Sequence, residues 1–363
     1  MCTGGSGRRN TAKRRGTLHA DDTTIADAVH RPVTDHSRDG AEPQHFLYAR
    51  LAAHELLAAP ALLADPTPLI GRTHRELFTH ALNRLHRTDA RYTPLLCALG
   101  LAQGRCLPDQ DAVWACAADG LTSAGVSDIH AGIAGLVRDV APYLALDHEH
   151  GQSVYRLAHR TFTEHFTTSP DAPTAHAAIT RALTEHARHT LETRASEGGA
   201  NLRPEDLSPY TRHYLTAHAR LGHTAGALGT LADHTDVLDN LDLTSITTNT
   251  LHPDLAPGDQ PPAIAGTVLF HSHVHETGTD LPGFDSLGQR RWWRRLGTTY
   301  IQGTPPPAEA LTRSSQTWSP TLTAGIVRRR EPHLQLAGHT SAVKAVAAFV
   351  ALDGTPPPRH RLQ

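Results

Sequence analysis

A chain of 363 residues with 39% hydrophobic and only 5% aromatic residues is large enough for two or three domains, and its 28 glycines and 25 prolines suit helices interrupted by linkers better than a β-rich protein. A formal net charge of −2 excludes recognition of nucleic acid or acidic membrane by overall charge, although 27 histidines make that charge climb as pH falls through the histidine range. The four cysteines, Cys2, Cys97, Cys106 and Cys116, have no C-x-x-C spacing, and no apolar run reaches signal-peptide or membrane-spanning length, so a disulfide framework, a zinc ribbon and a membrane anchor are excluded and a reduced, cytoplasmic setting is expected.

Residues 1–44 carry few large apolar side chains and cannot offset the entropy of their own ordering, which predicts a disordered tail. Its basic residues Arg8, Arg9, Lys13, Arg14 and Arg15 read as solvated rather than as an anion site. Over 45–90 the pattern turns helical. F-L-Y-A-R-L-A-A-H-E-L-L sets Phe46, Leu47, Leu51, Leu56 and Leu57 near one face, with Pro60 helping to end the helix, and a second helix is expected from Thr73 to His86 with Leu77, Phe78, Leu82 and Leu85.

The strongest structural signal covers 91–168. T-P-L-L-C-A-L-G-L-A-Q-G predicts a helix with Pro94 in its first turn and Gly104 after its end. P-D-Q-D-A-V-W-A-C-A-A predicts a second, opened by acidic residues, and a third begins at a Ser127 cap with Ile129, Ile133, Leu136, Val137 and Val140 as its buried stripe. P-Y-L-A-L-D-H-E-H-G-Q-S-V-Y-R-L then reads as two short strands around a turn at Gly151, and R-T-F-T-E-H-F as a closing helix. Three helices, a hairpin wing and a fourth helix make up a winged-helix module.

Residues 169–253 read as a helical spacer, helical over 174–191 and 209–241. The stretch 254–333 is expected to be a linker, Pro/Gly-rich from 254 to 266, followed by a segment without clear periodicity. Within it R-R-W-W-R-R, Arg290, Arg291, Trp292, Trp293, Arg294 and Arg295, is the most unusual local composition. Trp and Arg are enriched at interaction hot spots, so this is a candidate partner patch; alternatively Trp292 and Trp293 pack inward while the arginines reach outward and stay free to interact.

Catalytic motifs fail one by one. A phosphate loop needs G-x-x-x-x-G-K-[ST], and the only two lysines, Lys13 in G-R-R-N-T-A-K-R and Lys344 in G-H-T-S-A-V-K-A, both lack the second glycine and the hydroxyl. His54-Glu55 lacks the second histidine of H-E-x-x-H, since Ala58 occupies that place. His271, His273 and His275 would share a strand face, a poor arrangement for zinc even with Glu276 and Asp280 nearby. No G-x-S-x-G is present, so no metal or cofactor site is expected.

Taken in order, F-L-Y-A-R-L, Y-T-P-L-L-C-A-L-G-L-A-Q-G-R-C-L-P through V-Y-R-L-A-H-R-T-F-T-E-H-F, S-P-Y-T-R-H-Y-L-T-A-H-A-R-L-G-H and finally L-A-G-H-T-S-A-V-K-A-V-A resemble the actinobacterial STAND ATPases, relatives of the NACHT and NB-ARC proteins that end in WD repeats. The resemblance spans 45–241 and 334–356, about two-thirds of the chain. It implies a mainly α fold: the helical end of a nucleotide-switch domain over 45–90, the winged helix over 91–168 with a small β-hairpin wing, the spacer, and a truncated WD repeat over 334–363, an incomplete β-propeller blade. It also implies that His159, where the wing meets the next helix, matches the histidine that touches the ADP diphosphate in the family. With the phosphate loop missing, the expected function is that of a non-catalytic interaction and regulatory fragment binding a protein partner such as a related full-length ATPase, without cofactor, nucleic acid or membrane. Two other readings stay open, half of a split ATPase with the nucleotide domain supplied separately, and a winged-helix DNA-binding regulator. Asp128, Asp139, Asp147 and Glu149 around Arg138 argue against the last.

Overall fold

The computed structural model describes residues 45–58, 62, 69, 72–122, 124–197, 206–256, 258–277 and 287–302, so the tail expected over 1–44 and the WD-like segment 334–363 lie outside the described residues. What is described is mainly helical with one small antiparallel sheet.

Helix α1, His45–Ala58, packs on α2, His74–Thr88. Helix α2 opens with a capping box: the Thr73 hydroxyl accepts from the Glu76 N–H (3.2 Å) while the Glu76 carboxylate accepts from the Thr73 N–H (2.7 Å), satisfying two otherwise orphaned donors. Its apolar stripe, Leu77, Phe78, Ala81, Leu82 and Leu85, is buried as the periodicity demands.

Helix α3, Tyr92–Leu101, is apolar almost all round and accordingly sits at the centre, with Leu95, Leu96 and Leu99 buried. Gly104 (φ +61) turns the chain toward strand β1, Leu107–Pro108, and the Tyr214 ring lies so close that a Cβ there would sit 2.3 Å from it. The helix expected to begin at Pro108 therefore starts later. Pro108 is taken by pairing with Val154, and Asp111 and Ala112, both at φ +55, break the helical path before α4, Val113–Asp119. Trp114 of α4 is fully buried, its indole N–H donating to the Leu95 carbonyl (3.0 Å).

Helix α5, Val126–Asp139, is capped at Gly125 rather than at Ser127, which falls inside its first turn; the Asp119 carboxylate accepts the Gly125 N–H at 2.6 Å and fixes this earlier start. Its buried residues include Ile129, Ile133 and Leu136. After a short turn, Ala141–Tyr143, strands β2, Leu144–Glu149, and β3, Gln152–Leu157, form the hairpin with Leu146 opposite Tyr155 and Glu149 opposite Gln152. His150 (φ +48) and Gly151 (φ +78) supply the two left-handed residues that a tight two-residue hairpin turn needs. The sheet order is β1-β3-β2, and α6, Arg160–Thr167, follows directly. The Phe162 ring of α6 stacks on Phe78 of α2 at 4.3 Å, tying the two ends of this unit together.

A second layer consists of α7, Ala172–Ser196, α8, Pro209–Leu221, α9, Ala227–Asp233, α10, Thr235–Asn240, and α11, Leu243–Thr250. The helical stretch expected over 209–241 is broken after Leu221. Gly222 approaches α7 so closely that a Cβ would lie 2.6 Å from the Ala177 nitrogen, and Gly226 takes φ +82. Two further helices, α12, Pro262–Thr277, and α13, Leu287–Gln302, occupy much of the stretch expected to be linker. They cross where Gly266 meets Gly297, and a Cβ on Gly297 would sit 2.6 Å from the Gly266 Cα. Glycine here permits close backbone approach instead of marking a loop.

Candidate functional site

His159 caps α6. Its backbone is extended (φ −139, ψ 140), its Nδ1 accepts from the Thr161 N–H at 3.2 Å, and the Thr161 hydroxyl lies 3.0 Å from the same nitrogen. That is a local role, and it occupies Nδ1. His159 also lines a small cleft with Arg50, Leu51 and His54 of α1, Tyr143, Ala158 and Phe162. His54 is held below its ordinary pKa, first by burial and then by the Arg50 cation, with Glu55 acting in the opposite sense. The cleft thus brings one guanidinium and two imidazoles together between α1 and the β3–α6 junction. Sequence reasoning singled out His159 and noticed His54 only inside a failed metal motif; Arg50 carried no signal.

Glu55, the other half of that motif, is engaged inside the fold. Its fully buried carboxylate accepts from Arg84 Nη2 (3.0 Å) and pairs with His80 Nδ1 (2.9 Å), both on α2, and lies 3.5 Å from the Tyr143 hydroxyl. Burial, the nearby Glu55 charge and that contact push the Tyr143 phenol well above its usual range. This network joins α1, α2 and the turn before β2, and is structural.

The surface of α5 is electrostatically self-compensated. Arg138 Nε binds Asp139 (3.0 Å), and Arg91 binds Asp89 (2.7 Å) and Asp128 (3.3 Å). On the hairpin, Arg105 and Arg156 both reach Asp147, at 3.3 and 3.4 Å. These pairs leave no one-signed basic face aimed at a phosphate backbone.

No family model, curated protein or solved structure matches the chain.

For the R-R-W-W-R-R segment the structure departs from the expectation of outward arginines. Arg290 and Arg294, one helical turn apart on α13, are buried at 8% and 2% exposure. Arg294 holds Asp239 of α10 through two bonds, Nε to Oδ1 at 2.8 Å and Nη2 to Oδ2 at 3.1 Å, and Arg291 approaches the same carboxylate at 3.4 Å. Arg290 donates to the carbonyls of Asp239 (3.3 Å) and Leu241 (3.0 Å) at the end of α10, where the helix dipole favours a cation. The segment is thus an internal clamp, with Arg295 half-buried; the side chains of Trp292 and Trp293 lie outside the description. His271, His273 and His275 fall on α12 rather than on a strand, so their backbone positions do not share one face, and no cluster of metal-ligating residues occurs among the described residues. No described helix is long and apolar enough to cross a membrane.

Proposed function

We propose that the chain is a non-catalytic interaction and regulatory segment of a STAND-type signalling protein, acting through protein contacts with a partner such as a related full-length ATPase. The element order α3–β1–α4–α5–β2–β3–α6 with the sheet order β1-β3-β2 supports reading 91–168 as a winged helix. The observation that carries protein rather than DNA contact is the internal pairing of Arg91, Arg138, Arg105 and Arg156 with carboxylates on the surface a DNA-binding winged helix would offer. Non-specific affinity for DNA comes from cations facing phosphate, and here each is already engaged. Fluorescence anisotropy with a labelled 30-base-pair duplex at low salt tests this. The expected result is no salt-dependent binding at micromolar protein; binding lost on Arg138→Ala would favour the DNA-binding regulator instead.

The cleft at His159 favours one second reading, that of half a split ATPase whose separate nucleotide domain docks on α1 and presents a diphosphate to Arg50, His54 and His159. Isothermal titration with ADP tests this chain's share of such a site: the leading proposal expects no binding, and binding weakened by His159→Ala would replace it with the second.

A further inference from the structure

Helix α8 sets Tyr210, Tyr214 and His218 at i, i+4 and i+8, one face, with His213 beside them. All four meet another element through polar or ring contacts. The Tyr210 hydroxyl accepts from the Gln103 N–H in the loop after α3 (3.0 Å) and lies 2.8 Å from His218 Nε2. His218 Nδ1 lies 2.9 Å from His176 Nδ1 on α7. Tyr214 donates to Glu149 at the hairpin turn (2.7 Å), and His213 stacks on His150 at 4.4 Å. The joint between α8 and its neighbours therefore adds these polar and ring contacts to the apolar packing of Leu215 and Ala219.

The His176–His218 contact limits how much charge the two rings can hold while it is made. They are 4% and 1% exposed, and a bond between two Nδ1 atoms needs one N–H donor and one lone-pair acceptor, so a first added proton keeps the bond but leaves a positive charge buried, and a second sets two N–H groups head to head. The surrounding charges offer no relief. Arg220 of α8 adds positive charge near His176 and is itself paired with Asp254; Glu149 is taken by Tyr214 and by the Arg105 N–H; Tyr210, Tyr214 and Cys106 are neutral; His223 binds the Arg220 carbonyl; and Asp233, the one charged residue of α9, is exposed.

We propose that α8 is an acid-released joint: protonation of the His176–His218 pair frees α8 from α7 and from the loop after α3 while the unit formed by α3–α6 and the sheet stays folded. Burial, then Arg220, pushes His176 down to about 4, and burial, then His176, pushes His218 well below its ordinary value. Because the closed-state values lie below the free value near 6.5, the joint is at full strength above about pH 6.5 and weakens as pH falls toward about 4. Proton uptake by one ring on release raises the open population about 25-fold between pH 7 and pH 5, and uptake by both raises it by several hundredfold.

Hydrogen exchange read by mass spectrometry on the full chain at pH 7 and pH 5, corrected for the chemical exchange rate, tests this. The expected result is an opening constant for 210–221 and 102–105 that rises at least 25-fold, while amides of α4 change by less than about threefold. Unchanged opening of α8, or equal loosening of α4, would overturn the proposal. In the variant His176→Leu/His218→Leu the pH dependence of α8 opening should fall below tenfold, and its retention would count against the pair as the sensor. Should that variant not fold, NMR of the wild-type imidazoles decides. His176 and His218 in the closed state should not titrate between pH 8 and pH 5.5, and ordinary titration near pH 6.5 would refute the mechanism.

Discussion

Replacing Asp239 with asparagine removes the charge that α13 is built around. The Asp239 and Arg294 side chains are 1% and 2% exposed and share two hydrogen bonds, with Arg291 approaching the same carboxylate. Asparagine keeps the size but turns one acceptor into a donor facing a guanidinium, leaving a buried cation short of compensation. Removing one partner of a buried ion pair costs about 3–5 kcal/mol, the larger part being the stranded charge. Because Arg290 bonds backbone carbonyls, its contacts survive the substitution, and about 3 kcal/mol is the expected loss in urea denaturation at pH 7. The double replacement Asp239→Leu/Arg294→Leu removes both charges and should recover most of that stability, since an apolar pair of similar volume is often neutral or better. A loss below about 0.5 kcal/mol for Asp239→Asn, or a double variant as unstable as the single, would refute the argument that the carboxylate is needed mainly to neutralise buried arginine.

Gly297→Ala places a methyl within 2.6 Å of the Gly266 backbone, so thermal denaturation should register about 1–3 kcal/mol of destabilisation as α12 and α13 part. Thr73→Ala deletes the capping-box acceptor of α2 and should lower stability by about 1 kcal/mol in the same assay. Burial pushes the Cys97 and Cys116 thiols up to about 11 and Cys106 to about 12, so at pH 8 these three should resist iodoacetamide in the native protein and react once it is unfolded; peptide mapping after a timed pulse reads this directly. Glu55→Gln should cost about 1.5–3 kcal/mol by weakening the charged bonds from Arg84 and His80 that fasten α1 to α2, measured by urea denaturation.

Where a feature depends on neighbours along the chain, the sequence by itself determined it. The stripe of α2 and the Ile129–Ile133–Leu136 face of α5 follow from helical spacing, and the hairpin follows from a turn at Gly151 between two apolar runs. His159 at a helix start is also local, as its bond to Thr161 two residues away confirms. Glycine and proline misled only from Pro262 on, because composition does not distinguish a glycine that loosens a linker from Gly266, which lets α13 approach.

The rest was decided only in three dimensions. Asp239 meets Arg294 across 55 positions and His176 meets His218 across 42, and neither spacing is a period of any regular element. A buried arginine and an exposed one are written with the same letter, so the clamp of α13 looked like a surface patch until α10 supplied its carboxylate and carbonyl acceptors. Likewise Pro108 left the expected helix because Val154, 46 residues on, offered it a strand partner. Local periodicity encodes which face of a helix is apolar. Which distant group neutralises a buried charge depends on how the packed layers bring far-separated residues into contact.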